Sequence, residues 1–146
     1  MGLIKAIDIA ASGMAAQRAR VNVISMNLAN ANTTRTASGG PYRRKTVVFE
    51  TSAIPESFEE AMKNAEDGQA VYGVKVKGIV PVSGEFKKVF DPAHPDADKE
   101  GYVYLPNVNL VQEMVSLLNA NRGYEANAAA VRTAKSMALR ALDLFR

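Results

Sequence analysis

A chain of 146 residues holds one domain, or one domain with an appendage, and with no cysteine it has neither a disulfide framework nor a thiolate metal site. Hydrophobic residues make up 47%, enough for a core, but the absence of tryptophan and an aromatic content of 7% make that core aliphatic and alanine-rich. The net charge of +3 conceals a polarity: residues 1–45 carry seven basic and one acidic side chain, residues 46–107 six and eleven, and residues 108–146 five and three. Basic ends and an acidic middle suit subunits that meet end to middle.

The first predicted element is a long helix. From Leu3 the positions Leu3, Ile7, Ala10, Met14, Gln17, Val21, Ile24 and Leu28 follow a 4-3-4-3 spacing, and seven of the eight are apolar. A helix from about residue 3 to residue 29 is roughly 40 Å long at 1.5 Å per residue. Lys5 and Asp8 interrupt the apolar run that a signal peptide needs, and Ala6 stands where myristoylation needs Ser or Thr. No stretch approaches the ~18 uninterrupted apolar residues of a membrane span. The expectation is therefore no direct membrane insertion, and no cleavable signal if the chain is exported. The helix ends in "SMNLANANTTRT", where Asn27, Asn30 and Asn32 cluster. Asn30 or Asn32 in a left-handed C-cap conformation is expected to stop it.

The middle has a different texture. "YRRKTVVFET" and "AVYGVKVKGIVPV" are rich in β-branched and aromatic residues, and "EFKKVF" and "GYVYL" are shorter strand candidates. Gly39-Gly40-Pro41, Ser83-Gly84 and "DPAHPDADKEG" are turn chemistry, and "SFEEAMKNAEDG" reads as one or two helical turns ending near Gly68.

The last element repeats the first. Leu110, Met114, Leu117, Asn121, Tyr124, Ala128, Val131, Lys135, Ala138, Leu142 and Phe145 alternate in the same way, with Pro106 a stop before a helix starting near Val108. One helix enters the middle segment and the other leaves it, so the two can lie antiparallel. That arrangement sets Leu28 near Leu117, and Asn27 and Asn30 near Asn119 and Asn121. The fold expected is mainly α with a small β insert. Residues 1–32 form an N-terminal axial helix, 33–107 a β-rich middle segment, and 108–146 a C-terminal axial helix that makes an antiparallel coiled-coil pair with the first. Val111, Val115, Leu118, Met137 and Leu139 lie off the main stripe of the last helix, and an apolar surface of that kind argues for self-association or co-assembly. Outside an assembly both helices lack most of their partners, and low helicity of the free chain follows.

Chemistry is sparse. The single histidine, His94, sits with Asp91, Asp96, Asp98 and Glu100 in one loop. "DADKEG" matches the opening of a calcium loop, but Asn107 stands where the bidentate glutamate belongs, which favours a proline-braced turn over a metal site. No nucleophile elbow, phosphate loop or dinucleotide fingerprint occurs, so neither an enzyme nor a cofactor is expected. "PYRRK" invites a nucleic-acid reading, yet the following sixty residues are net acidic. The alternative of a small basic helical hairpin binding nucleic acid or a membrane surface predicts steep salt dependence, which seam packing does not.

The two ends resemble a known family. "AASGMAAQRARVNVISMNLANANTT" is similar to the N-terminal motif of bacterial flagellar rod and hook proteins, and "VNLVQEMVSLLNANRGYEANAAAVRTAKSMALRAL" to their C-terminal motif. "TTRTASGGPYRRKTVVFE" and "VFDPAHPDADKEGYVYLPNVN" resemble the proximal-rod members. The resemblance implies a structural subunit of the axial rod across the periplasm, exported by the flagellar type III apparatus. Its partners would be other rod proteins, proximal and distal, the rod-to-ring junction protein and copies of itself. It also implies that the terminal helices form the assembly interface. That interface comprises the seam (Leu3, Ile7, Met14, Val21, Ile24, Leu28, Met114, Leu117, Asn121, Val131, Leu142) and Asn27, Asn30, Asn32 and Thr33 at the turn. Arg122, Tyr124, Glu125 and Asn127 would lie across from that turn. In this reading the asparagines also fix register between subunits by hydrogen bonding.

Overall fold

The computed structural model describes residues 3–54 and 71–143. The helical turns expected within 57–68 and the seam position Phe145 lie outside the described residues. The element order is α1 (Leu3–Ala29), β1 (Lys45–Ala53), β2 (Tyr72–Pro81), β3 (Lys87–Phe90), β4 (Tyr102–Leu105) and α2 (Leu110–Asp143). Two long terminal helices thus flank a small β segment of two two-stranded sheets, β1 with β2 and β3 with β4.

Helix α1 buries the stripe its sequence announces. Every seam position from Leu3 to Leu28 is at least half-buried, and Ala10 and Ile24 are buried. Its end differs from expectation. Among the described residues no non-glycine has a positive φ, so neither Asn30 nor Asn32 is left-handed. The Asn30 carboxamide performs the capping instead: Nδ2 donates to the Met26 carbonyl at 2.8 Å, and Oδ1 accepts from the Thr33 hydroxyl at 3.2 Å. Backbone bonds close the end with it: the amides of Asn30 and Ala31 donate to the Met26 and Leu28 carbonyls at 3.1 and 3.2 Å, so no left-handed residue is needed.

All four strand candidates are strands. β3 and β4 pair antiparallel from Lys87 opposite Leu105 to Phe90 opposite Tyr102. The loop between them is closed by its own acids. Asp98 Oδ1 accepts from the amides of Glu100 and Tyr102, Asp91 Oδ1 from Ala93, and His94 Nδ1 from Asp96. His94 is thereby a turn residue. Among the described residues no group of three His, Cys, Asp or Glu side chains could hold a metal ion, and no helix is long and apolar enough to cross a membrane.

Helix α2 starts at Leu110, because Asn109 caps it. The Asn109 Oδ1 accepts from the amides of Val111 and Gln112 at 3.0 and 3.2 Å, satisfying two of the four orphan donors of a helix start.

The chain divides into two compact units. One comprises Met1–Ala19, Phe49–Lys77 and Ala120–Arg146, and the other Arg20–Val48 and Gly78–Asn119. In the first, Ala10, Ala16, Ile54, Ala120 and Ala134 are buried. There α1 and α2 run in opposite directions and meet through glycines. A Cβ on Gly13 would lie 2.8 Å from the Asn127 carboxamide, and one on Gly123 would lie 3.1 Å from that of Gln17. Each helix offers a glycine to the other's amide side chain, which explains two mid-helix glycines that cost about 1 kcal/mol each relative to alanine. In the same unit the Ser12 hydroxyl donates to the Ile9 carbonyl and accepts the Val74 amide, tying β2 to α1. In the second unit Val23, Ile24, Tyr42 and Val103 are buried, together with two polar residues, Asn27 and Glu113.

The inward face of α2 is only in part the stripe read from the sequence, sharing Leu117, Ala128, Val131 and Ala138 with it. Leu110, Met114, Asn121, Tyr124, Lys135 and Leu142 are exposed. Glu113, Ala120 and Ala134 are buried, and Leu117, Gly123, Asn127, Val131 and Ala138 are half-buried. At Met114, Asn121, Tyr124 and Lys135 the covered residue is the one before, Glu113, Ala120, Gly123 and Ala134, whereas Leu117, Val131 and Ala138 keep the expected frame. The register is also displaced. Asn27 meets Glu113, six residues before the Asn119 expected beside it.

Candidate functional site: a buried polar junction and an open helix face

Asn27 lies two residues before the end of α1, points inward and is 1% exposed. A carboxamide so placed has two donors and two acceptor lone pairs to satisfy. Its Oδ1 accepts from the Lys45 amide at 2.9 Å and from the Tyr42 hydroxyl at 3.0 Å. Its Nδ2 donates to the Lys45 carbonyl at 2.9 Å and to Glu113 Oε2 at 3.1 Å. Both backbone groups of Lys45, the first residue of β1, are therefore bound by one side chain. The Asn27 carboxamide stands where a neighbouring strand would otherwise be.

Glu113, in the first turn of α2, is also 1% exposed. Its second oxygen, Oε1, accepts from Arg44 Nε at 2.6 Å. A buried carboxylate needs a partner charge and hydrogen bonds on its remaining lone pairs, and the positive end of a helix favours it further. Arg44 is held in turn by its backbone: its amide donates to Asn107 Oδ1 at 3.2 Å, and its carbonyl accepts from Val82. Burial, and secondarily the Glu113 charge, push the Tyr42 phenol above its ordinary range, so it stays protonated and able to donate to Asn27. Three elements meet on this cluster: the end of α1, the start of β1 and the start of α2. It binds and positions backbone, and it presents no open nucleophile.

The sequence-predicted interface residues scatter around this junction. Of the turn group, Asn27 is its centre, Asn30 caps α1, Thr33 is half-buried on Asn30, and Asn32 is exposed. Leu3, Ile7, Met14, Val21, Ile24 and Leu28 line the covered face of α1. Leu117, Asn127 and Val131 are half-buried on α2, whereas Met114, Asn121, Arg122, Tyr124, Glu125 and Leu142 are exposed. Asn127 lies against Gly13.

Beside the junction, the outer face of α2 is open. Leu110, Val111, Met114, Val115 and Leu118 are between 48% and 71% exposed. Between Asn107 and Asn121 the sequence carries one charge, Glu113, and that one is buried, so the face is apolar and uncharged. Sequence reasoning missed Tyr42, Arg44, Lys45, Asn107, Asn109 and Glu113. The usable signal was that lone glutamate, a charge isolated inside an otherwise uncharged apolar stretch.

Two family models match the chain. One, described as flagella basal body rod protein, covers residues 7–35, and one described as flagellar basal body rod FlgEFG protein C-terminal covers residues 99–144. Full-length relatives are similar throughout. The flagellar basal-body rod protein FlgC of Borreliella burgdorferi is 42% identical, with 100% of this chain and 99% of the relative aligned. The FlgC of Salmonella typhimurium is 43% identical over 99% of this chain and 98% of its own length. The FlgC of Bacillus subtilis is 40% identical over 99% of each.

Proposed function

This chain belongs to the FlgC family of flagellar basal-body rod proteins, and from that premise we propose how it serves as a structural subunit of the rod. Its terminal segments, residues 1–32 and 108–146, pair as an antiparallel coiled coil and carry assembly into a tube, with residues 33–107 placed outside them. The interface comprises the residues read from the sequence between Leu3 and Leu142. The rod crosses the periplasm, and the chain reaches it through the flagellar type III apparatus. Its neighbours are copies of itself, other proximal and distal rod proteins and the rod-to-ring junction protein. It runs no reaction and uses no cofactor.

The observation that carries this reading is the open face of α2. Five large apolar side chains within nine residues stand free of any charge beside a fully satisfied polar junction. A patch of that kind marks an interaction site, and burying each such side chain contributes about 1.5–3 kcal/mol. Replacing Met114 and Leu118 together by Asp is expected to abolish motility and leave secretion of the chain intact, with association between copies weakened at least ~100-fold, about 2.8 kcal/mol. Secretion, swarming and rod assembly in a strain carrying only this variant measure it. Wild-type motility overturns the reading.

A further inference from the structure

The first ten residues of α2 could face the protein in two ways. Turned one way, Leu110 and Met114 go inward beside Leu117, as the sequence pattern suggests, and more apolar area is buried; Leu117 borders the covered face in either phase. The structure takes the other. Glu113 points in at 1% exposure, and Leu110, Val111, Met114, Val115 and Leu118 point out. A change of one residue in heptad frame turns a helix by about 100°. Apolar burial alone favours the first phase, so something specific must hold the second.

Glu113 is placed to hold it. Oε1 is bound by Arg44 Nε at 2.6 Å and Oε2 by Asn27 Nδ2 at 3.1 Å. Asn27 is itself fixed by Tyr42 and by both backbone groups of Lys45. Buried charge pairs add little net stability over apolar side chains of similar volume, whereas breaking one partner leaves a costly orphan. A pair of this kind is therefore suited to choosing among arrangements. We infer that Glu113 is a positioning residue that sets the rotational phase of α2 and so keeps the apolar stripe turned outward. What the stripe then meets, a neighbouring subunit, rests on the rod reading; the phase itself does not.

The chain has no native cysteine, so single cysteines report the phase directly. Met114→Cys and Leu118→Cys sample the outer face, and Ser116→Cys, half-buried here and turned outward in the other phase, samples the inner one, in the full-length protein with a maleimide. In the parent background the outer sites are expected to react about tenfold faster than position 116, the protection of an opening that costs about 1.4 kcal/mol. Glu113→Leu is expected to retain helical circular dichroism while this ratio collapses or inverts. Glu113→Gln, which keeps an acceptor for one of the two donors and sets an NH2 against the other, is expected to retain only part of it. Arg44→Gln orphans the carboxylate, draws it toward water, and is expected to turn the stripe inward as well; it decides the matter should Glu113→Leu fail to fold. Equal labelling of both faces in the parent overturns the inference. So does an unchanged ratio in Glu113→Leu, or in Arg44→Gln where Glu113→Leu is unfolded. Motility separates the two readings: an inverted ratio with normal motility upholds the phase assignment and sinks the role of the stripe in the rod.

Discussion

One carboxamide does most of the organising in this molecule. Asn27 uses all four of its hydrogen-bonding positions on groups from β1, α2 and the segment that leads into β1. Asn27→Ala strands the Lys45 amide and carbonyl and half of Glu113, and each buried orphan costs about 1–3 kcal/mol. A loss of about 3 kcal/mol is expected by urea denaturation. Asn30→Ala removes only a helix-end contact at a half-exposed site, and a loss near 1 kcal/mol is expected from the same measurement. Equal effects of the two would remove Asn27 from its central role. A second residue-scale expectation concerns Asp98. The Tyr102 amide, with that of Glu100, holds its carboxyl below the ordinary aspartate range. Its folded value is depressed, so its contribution is present at neutral pH and is lost as the pH falls through that depressed value. Protection of the Tyr102 amide relative to its intrinsic exchange rate should fall on acidification below the usual aspartate range, and Asp98→Asn should flatten that response. The asparagine cluster was conspicuous in the sequence, but its function was not. Periodicity puts Asn27 beside the seam position Leu28; it cannot show that the carboxamide is buried or that Glu113, eighty-six residues later, arrives on the same spot.

At the scale of elements, the sequence reading succeeded where one segment decides its own fate. The bounds of α1 follow from its heptads, and the four strands from β-branched alternation between glycines and acids. The reading failed where two segments must agree. In α2 the heptad with large residues was favoured, because apolar size is the cue that periodicity uses. The face that packs adds Ala120, Gly123, Ala134 and the charged Glu113 to Leu117, Val131 and Ala138 of that heptad. Small side chains let helices approach closely, and Gly13 with Gly123 accommodates Asn127 and Gln17 in the contact. Such close packing leaves the bulky residues on the far side. The start of α2 was missed by two positions for a related reason: Pro106 marks where a helix cannot run, whereas the Asn109 side chain marks where it begins.

For the whole molecule, the burial pattern refines the expectation of a weakly helical free chain. The unit holding Asn27 and Glu113 has a satisfied polar centre, whereas the last turns of α2 from Leu139 to Asp143 are exposed throughout. Opening free energies within one protein span a wide range, and few buried contacts mark the low end. Hydrogen–deuterium exchange on the isolated chain should find the Lys45 and Asn27 region the most protected and residues 139–143 exchanging at least ~10-fold faster, about 1.4 kcal/mol. Uniform protection along α2 would contradict this. The basic ends and acidic middle, plain in the sequence, give copies a long-range reason to meet in a fixed sense.

The strand β1 opens on a residue whose amide and carbonyl are both taken by a side chain. A side chain offers no backbone beyond itself, so no foreign strand can zip onto that edge starting from Lys45. A protein made to polymerise carries the hazard of polymerising wrongly, through its exposed sheet edges. Asn27 acts there as a stopper, closing the cross-β route while the helices remain free to stack.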